Sequence, residues 1–363
     1  MASKISRCFW NGKKVFLTGH TGFKGSWLSV WLISLGAKVY GYSLAPLSSK
    51  SMYELCKIDT LLNTSNYLDI RDRASLTKAV TNADPDIIIH MAAQSLVRTS
   101  YVDPIKTYEV NVMGTVNLLE ICKKVSSIKA IVVVTTDKCY ENIEQIWPYR
   151  ESDRLGGFDP YSNSKACCEL VVQAYRNSFF SLQQSPKLAT ARAGNVIGGG
   201  DWSDDRLVPD FMRALNKQQK LVIRNLDAIR PWQHVLDPLH GYLLLIEKLY
   251  ENDKSNFFSG GWNFGPSESS NVNVAEILSL LKQYTLSNIE WVSSLSAEHH
   301  ESNILTLDST KARRFLGWRP QLKLHEAIKM TVDWYNQSHR KPSMSLDFTI
   351  EQIQSYMGID NEY

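Results

Sequence analysis

The chain has 363 residues, of which 44% are hydrophobic and 21% charged. These fractions are close to those of globular proteins and exclude a chain that is disordered throughout. The formal net charge of +3 is too small to favour nucleic acid or an anionic membrane surface as the partner. This length suits one large α/β domain with an appendage, or two domains of ordinary size.

The cysteines and the N-terminal residues indicate the cellular compartment in which the protein is expected. The six cysteines show no CxxC spacing, the histidines show no HxxxH spacing, and the first residues lack the apolar core of a signal peptide. No apolar run approaches the ~18 residues that a membrane-spanning helix needs. We therefore expect reduced thiols, no metal site and a soluble, cytoplasmic protein.

Predicted strands and helices alternate over the first 195 residues. The strand at 14–18 leads into a glycine-rich turn, and apolar runs without alternation indicate parallel strands that are covered on both faces. Asp103 and Pro104 are typical of the first residues of a helix. The strands are predicted at 14–18, 38–42, 86–90 and 130–135, and an early helix at 25–35. This order predicts an α/β fold with a doubly wound parallel sheet.

After Asn195 the pattern loosens and becomes mostly helical. Helices are predicted at 206–218, 236–250, 274–284, 308–316 and 324–337. We expect a Rossmann domain at 1–195, to which 236–263 returns, and a smaller, mostly helical substrate domain made of 196–235 and 264–363. The active site would lie between them.

The glycine-rich turn after the first strand reads Thr18-Gly-His-Thr-Gly-Phe-Lys-Gly25. Glycines allow a tight turn and a close approach of a pyrophosphate to the N-terminus of the next helix, which favours anions. Any strand–helix turn can hold glycine, but in this setting the pattern predicts dinucleotide binding. The predicted cofactor residues here are Gly19, His20, Thr21, Gly22, Phe23, Lys24 and Gly25.

One element of the dinucleotide pattern is missing. An acid about 20 residues further on usually binds the ribose hydroxyls, yet the second strand ends in Tyr42-Ser43. Ser43 or a backbone group would have to replace it, which leaves NADP open and predicts weak cofactor retention. Asp69, followed by Ile70, is predicted to contact the adenine amine or, alternatively, to cap the next helix.

A second motif consists of Tyr161 and Lys165, whose spacing places them on one helix face. The ammonium group of Lys165 would favour the phenolate of Tyr161 and make it a usable base near neutral pH. The spacing alone is common in helices. Together with the glycine-rich turn and with Thr136 at the end of a predicted strand, it indicates a redox active site.

These motifs resemble those of the extended short-chain dehydrogenase/reductases and, among them, the sugar-nucleotide 4,6-dehydratases. The resemblance spans residues 15–237 and continues to 262–266. Three segments, 90–101, 191–202 and 230–234, are similar to the branch that acts on CDP-glucose. The matching motifs are Gly19-x-x-Gly22-x-x-Gly25, His90-Met-Ala-Ala-Gln94, Asn111, Thr136-Asp137-Lys138, Tyr161-x-x-x-Lys165, Ala193-Gly194-Asn195 and Trp262-Asn263-Phe264-Gly265-Pro266.

The resemblance implies NAD as cofactor and a redox-neutral conversion of CDP-D-glucose into CDP-4-dehydro-6-deoxy-D-glucose and water. Tyr161, aided by Thr136 and Lys165, would take the 4-hydroxyl proton while the C4 hydride passes to NAD. Asp137 and Lys138 would serve as acid and base in the loss of water across C5 and C6, and the hydride would return to C6. Lys138 would have to be neutral as a base; its alternatives are a cation beside the enolate or a partner of Asp137.

The remaining site residues follow from the matched motifs. An arginine fork suits a diphosphate, with a surface salt bridge as the alternative, and Ser95 has a turn as its alternative. Further cofactor contacts are expected at Ala92, Ala93, Gln94, Asn111 and Thr135. Substrate contacts are expected at Gln94, Ser95, Arg98, Asn195, Arg206, Leu207, Pro209, Arg230 and His234.

The resemblance also implies a homodimer joined through helices 103–125 and 161–179, and deoxysugar biosynthesis for the lipopolysaccharide O-antigen. Two other functions stay open. A sugar-nucleotide 4-epimerase or reductase would leave Asp137 and Lys138 unexplained. A non-catalytic regulator that senses NAD(P) would not need Thr136, Tyr161 and Lys165 intact.

Overall fold

The structure is a computed structural model that describes residues 3–182, 184–251, 256–293 and 303–358. The strands in these ranges are β1 (Lys14–Thr18), β2 (Lys38–Ser43), β3 (Thr64–Tyr67), β4 (Ile87–His90), β5 (Ala130–Val134), β6 (Lys187–Ala193), β7 (Asn195–Ile197), β8 (Leu221–Ile223), β9 (Ile229–His234), β10 (Gly260–Phe264), β11 (Asn271–Asn273) and β12 (Trp291–Ser293).

The α-helices in the same ranges are α1 (Arg7–Trp10), α2 (Phe23–Ser34), α3 (Met52–Leu55), α4 (Arg73–Ala83), α5 (Val97–Val102), α6 (Pro104–Tyr108), α7 (Gly114–Cys122), α8 (Pro160–Ser178), α9 (Leu207–Lys217), α10 (Leu236–Glu251), α11 (Val274–Thr285), α12 (Thr310–Phe315), α13 (Leu324–Arg340) and α14 (Ser345–Met357). Short 3₁₀ turns lie at Ile58–Leu61, Asp137–Cys139, Glu268–Ser270 and Pro342–Met344.

Seven parallel strands form the central sheet in the order β10-β6-β5-β4-β1-β2-β3. Alternate strand residues point to opposite faces. Val15 and Ile87 pack in the core that α2 and α10 cover, whereas Phe16 and Ile88 pack in the core that α4, α7 and α8 cover. The predicted doubly wound α/β fold is confirmed. The strand order reverses between β1 and β4, where such sheets bind ligands at their carboxyl ends.

The second half of the chain adds strands to this sheet and also forms two smaller sheets outside it. Helix α10 packs against β5 and β6, and β10 pairs with β6 at the edge of the sheet. Outside the sheet, β7, β9 and β11 form a three-stranded sheet and β8 pairs with β12. The last helix, α14, packs against α2 and α13. Within the described residues, no helix combines the length and apolar character needed to cross a bilayer.

The helix predicted to begin at Asp103 has an interruption. The Asp103 side chain accepts a hydrogen bond from the Lys106 amide, and Pro104 is the first helical residue, as predicted. Residues Glu109–Met113 then form a π-helical turn before α7 continues. Such turns often occur at functional sites, and this one contains Asn111.

Candidate active site

The turn between β1 and α2 forms a cradle that only glycine permits. Gly19 has φ +76°, and a Cβ placed on Gly25 would lie 2.1 Å from the carbonyl oxygen of Gly19. The loop therefore packs backbone against backbone below the N-terminus of α2, whose first amides are free to bind an anion. This geometry fits the pyrophosphate of a dinucleotide.

Hydrogen bonds tie the carboxyl ends of β1 and β4 together beside the cradle. The hydroxyl oxygen of Thr18 accepts the amides of Met91 and Ala92 at 3.0 and 3.1 Å. It also lies 2.7 Å from Nδ1 of His90, a buried ring whose Nε2 contacts Thr115. Ala92 and Ala93 are half-buried in the segment that follows.

His20 and Ser43 lie where the second strand ends. Nε2 of His20 is 2.8 Å from the hydroxyl of Ser65, and burial lowers the pKa of His20 to about 4, so the ring is neutral. The hydroxyl of Ser43 is 2.8 Å from that of Thr21. The Thr21 hydroxyl also donates to the carbonyl of Leu44 at 2.9 Å, so both hydroxyls lie at the strand end where a ribose is expected.

Asp69 does not cap a helix. The N-cap of α4 is Asp72, which accepts the amides of Ala74 and Ser75, so the alternative predicted for Asp69 is wrong. Arg71 binds the Asp69 carboxylate through its backbone and its guanidinium and holds the Asp69 pKa below its ordinary value. The contact of Asp69 with adenine stays a prediction. The neighbouring Ile70 is buried and lies against Gly114.

The turn after β5 carries Thr136, Asp137 and Lys138. The Thr136 hydroxyl donates a 2.9 Å hydrogen bond to Oδ1 of Asp137, whose carboxyl is buried. Burial raises the pKa of Asp137 above its ordinary value, opposed by the charge of Lys138. Within the described residues Oδ2 of Asp137 has no hydrogen-bond partner; a Cβ on Gly194 would lie 3.1 Å from it. The buried environment therefore favours the protonated form of Asp137 more than water does.

Helix α8 presents Tyr161 and Lys165 to the same region. Asp159 caps this helix by accepting the amide of Ser162, and both catalytic candidates are buried one turn apart. Nζ of Lys165 donates to the carbonyl of Val134 at the end of β5, at 3.2 Å. Burial raises the pKa of Tyr161 to about 12, while hydrogen bonding with Thr136 and the charge of Arg206 lower it. Without a cofactor, the phenol is protonated at neutral pH.

Gln94 and Asn111 bind each other. The Gln94 amide donates to Oδ1 of Asn111 at 2.8 Å, and Nδ2 of Asn111 donates to the Gln94 carbonyl and to the hydroxyl of Ser164. The Gln94 side chain is bonded to Leu96 and Thr107. These bonds fix the loop after β4 to α8, so a ligand contact by either side chain would compete with them.

Two basic residues from other elements act on the candidate catalytic groups, Arg206 on Tyr161 and Lys24 on Asp137. Nη1 of Arg206, just before α9, lies 3.0 Å from the buried carboxylate of Asp201, whose carbonyl accepts the hydroxyl of Tyr335. Burial and, to a smaller extent, the charge of Arg206 lower the pKa of Lys24, at the start of α2, to about 7. Lys24 thus titrates near neutral pH.

Arg230 is a buried residue of β9. Its Nη1 donates to the carbonyls of Ile229 and Asn303 at 2.9 and 3.2 Å, and its charge lowers the pKa of Asp137. Arg230 is therefore close enough to the Asp137 carboxyl to favour its ionised form. Arg230 is buried and so does not lie at the surface, and its contact with the substrate stays a prediction.

The other predicted substrate residues differ in their placement. Arg98 pairs with Asp205 at 3.3 Å between α5 and the loop before α9, and Ser95 is exposed. Asn195 is half-buried in β7, and Leu207 and Pro209 belong to the first turn of α9. His234 is fully buried against Trp27, with a pKa lowered by burial to about 3. It exposes no surface to a sugar or phosphate, so its predicted contact does not fit.

The sequence analysis missed Glu169 and Arg192. The hydroxyl of Thr135 donates to Glu169 at 2.5 Å, and its cofactor contact stays a prediction. Glu169 forms a buried ion pair with Arg192 at 2.7 Å. The available signal was the position of Glu169 one helical turn after Lys165. All six cysteines are free thiols, and the described part of the chain holds no cluster of potential metal ligands.

Comparison with known proteins identifies the family. Residues 16–331 match the family described as GDP-mannose 4,6 dehydratase. The chain belongs to this family. A family relative from Salmonella typhimurium, CDP-glucose 4,6-dehydratase, is 47% identical over 98% of this chain and 99% of its own length. The resemblance to the sugar-nucleotide 4,6-dehydratases is thereby confirmed.

Solved structures share the fold of this family member. dTDP-glucose 4,6-dehydratase from Streptomyces venezuelae, solved with NAD bound, superposes with a TM-score of 0.76 at 24% identity, covering 90% of this chain and 98% of that one. UDP-glucose 4-epimerase from Thermotoga maritima also gives 0.76 at 24% identity, covering 90% and 99%. Fold alone therefore does not separate dehydratase from epimerase.

Proposed function

We propose that this protein converts CDP-D-glucose into CDP-4-dehydro-6-deoxy-D-glucose and water. The observation that carries the proposal is the 47% identity, over nearly the whole chain, to a relative named for this activity. The Thr136-Asp137-Lys138 turn beside Tyr161 supplies the acid and base groups that an elimination requires and that an epimerase does not.

The glycine cradle fits NAD. Gly19, Gly25 and the N-terminus of α2 would hold the pyrophosphate, and the hydroxyls of Thr21 and Ser43 would face the ribose. When bound, NAD accepts the hydride from C4 and returns it to C6.

Tyr161 takes the proton of the 4-hydroxyl during oxidation. Because burial raises its pKa, the phenolate needs nearby positive charge, which Arg206 provides and to which Lys165, one turn further along α8, would add. The Thr136 hydroxyl orients the phenol of Tyr161 and the 4-hydroxyl of the sugar. The ketone formed at C4 then acidifies the hydrogen on C5.

Asp137 and Lys138 carry out the elimination. Lys138 takes the C5 proton while protonated Asp137 gives its proton to the 6-hydroxyl, so that the C6–O bond breaks and water leaves. As hydride reaches C6, Lys138 returns its proton to C5. The proton that Tyr161 gained restores Asp137, and the cycle closes without net oxidation. Arg206 and Arg230 bind the diphosphate through their planar forks.

We further propose a homodimer. Val102, Ile105, Met113 and Leu170 are 86, 72, 51 and 53% exposed, and they lie on helices that pack against each other in the order α5 to α8. Exposed apolar side chains on adjoining helices suit an interface with a second copy. A cytoplasmic role in making deoxysugars for the lipopolysaccharide O-antigen accords with the family resemblance.

Mass spectrometry of CDP-glucose labelled with deuterium at C4 tests the activity. We expect the loss of one water, with the deuterium recovered at C6, and a rate that depends on added NAD. Water loss from UDP-glucose or dTDP-glucose but not from CDP-glucose would overturn the substrate. An unchanged mass with an inverted C4 would favour the epimerase instead.

A further inference from the structure

A buried network adjoins the two catalytic segments. Glu169, only 4% exposed, follows Lys165 by one turn of α8. Its Oε1 accepts the hydroxyl of Thr135 at 2.5 Å and Nε of Arg192 at 2.9 Å. Its Oε2 accepts the hydroxyl of Thr190 and Nη2 of Arg192, both at 2.7 Å. The carboxylate is thus bound by four donors.

The network continues to the other end of the catalytic turn. Nη1 of Arg192 donates to the hydroxyl of Tyr140 at 2.7 Å, and this hydroxyl donates to Oδ1 of Asn263 at 2.7 Å. Thr135 precedes the turn 136–139, and Tyr140 follows it directly. Glu169 and Arg192 therefore hold both ends of the turn that carries Thr136, Asp137 and Lys138.

We propose that Glu169 is a positioning residue for the reaction. Through Thr135 and Arg192 it fixes the catalytic turn against α8, and it places a permanent negative charge one turn from Lys165. This inference rests on the proposed function, in which Lys165 acts as a cation beside Tyr161. Stability does not require such a pair, since apolar groups can often replace buried ion pairs without loss.

Among the groups that surround Lys165, Glu169 supplies the negative charge. Burial keeps the thiols of Cys139 and Cys168 neutral, and it lowers the pKa of His90 to about 3. Burial opposes the ionisation of Glu169 as well, but Arg192 holds its pKa below the ordinary value. The groups facing Lys165 are Tyr161, Cys168 and Glu169 on α8, Cys139 in the catalytic turn, His90 on β4 and Lys24 on α2.

The surroundings of Glu169 are mainly cationic. Arg192 is its direct partner, and the charges of Arg176 and Lys311 also act on it. Removing the carboxylate charge would leave these cations uncompensated and lower the pKa of Lys165. Lys165 would therefore lose its proton at a lower pH than in the wild type.

The test is the pH dependence of kcat for CDP-glucose in Glu169→Gln and in Thr190→Val. For Glu169→Gln we expect the alkaline limb to move down by about one pH unit. Thr190→Val removes one donor to the same carboxylate without changing charge, so its limb should stay in place. An alkaline limb that stays in place in Glu169→Gln, whatever the size of kcat, would overturn the proposal, as would an equal shift of the limb in Thr190→Val.

A second measurement does not require turnover. In protein labelled at the lysine ε-carbons, nuclear magnetic resonance reports the titration of Lys165, assigned through Lys165→Arg. We expect a lower Lys165 pKa in Glu169→Gln and also in the double variant with Arg192→Met, which removes both members of the Glu169–Arg192 ion pair. If the wild type dehydrates CDP-glucose but the Lys165 titration is unchanged in Glu169→Gln, only the positioning role is overturned. A wild type without dehydration would overturn the proposed function, while the titration would still test the charge.

Discussion

At Asp137, burial and charge act in opposite directions. Burial raises the pKa of this carboxyl, and Lys138, Arg230 and Lys24 lower it through their charges. Burial thus makes the protonated carboxyl easier to keep than in water, as the proposed role of acid for the 6-hydroxyl requires. A carboxyl tuned in this way is typical of a general acid.

Replacing Asp137 by Asn preserves the shape and the acceptor for Thr136 but removes the acid. We expect the release of water to fall by ~10²–10⁴-fold. Quenched-flow mass spectrometry would measure water loss, and cofactor absorbance would follow the oxidation of C4. Water release at the wild-type rate would exclude Asp137 as the acid.

Tyr161→Phe removes the base of the first step. We expect turnover to be lost, while NAD binding measured by calorimetry stays within about twofold, because the phenol ring that packs in the core is retained. Since the base must be ionised, wild-type activity should rise with pH on the acid limb. Residual turnover with an unchanged acid limb in Tyr161→Phe would contradict this assignment.

The β1–α2 turn and α8 show how single elements position chemistry. The turn depends on contacts between backbone atoms, which a Cβ would occupy. Helix α8 depends on its Asp159 cap and on Lys165 at the Val134 carbonyl, which together set the direction of its first turn toward the end of β5.

Gly25→Ala tests the turn. The new Cβ would lie 2.1 Å from the carbonyl oxygen of Gly19, so we expect a loss of ~1–3 kcal/mol in the free energy of unfolding and no measurable NAD binding. The matched control is Gly22→Ala, whose nearest neighbour would be 3.4 Å away at a negative φ. Urea unfolding should place this control near the wild type; equal losses in both variants would show that the contact at Gly25 is unimportant.

In the whole molecule, Asp237 joins distant parts of the chain. Its Oδ1 accepts the amide of Gln321 and the hydroxyl of Tyr356, the latter on α14, and burial raises its pKa to about 7. Because the folded protein favours the protonated form, ionisation opposes folding. The stability contributed by this carboxyl is complete below about pH 4 and is lost as the pH rises through 7.

Asp237→Asn should remove this pH dependence. The amide oxygen keeps the two donors and carries no charge, so we expect the variant to be more stable than the wild type by roughly 2–4 kcal/mol at pH 8 and equal to it near pH 4. Urea unfolding across this range measures the difference. A constant difference at all pH values would contradict the raised pKa.

The proposed dimer is also a property of the whole molecule. Ile105→Glu places a charge on the exposed apolar surface of α5 to α8, so we expect a monomer with an unchanged fold. Leu47→Glu, at a side chain that is 98% exposed after β2, is the control. Sedimentation analysis should find a dimer for the wild type and the control; a dimeric Ile105→Glu would place the interface elsewhere.

What the sequence determined by itself was local. The glycine turn, the Asp103-Pro104 helix start and the Tyr161–Lys165 spacing depend on residues a few positions apart, because backbone geometry and helix periodicity act at that range. The parallel sheet followed from the order of such elements. Helix α14 and the two small sheets, made of β7, β9 and β11 and of β8 and β12, did not, since their short or weakly marked segments gain stability mainly from distant partners.

The tertiary structure alone decided the electrostatics. The near-neutral pKa of Lys24, the raised pKa of Asp137 and the burial of His234 depend on which segments cover each group. The pairing of Glu169 with Arg192 joins residues on a helix and a strand. Desolvation and charge act through space rather than along the chain, so these properties of the site appear only when the fold brings its parts together.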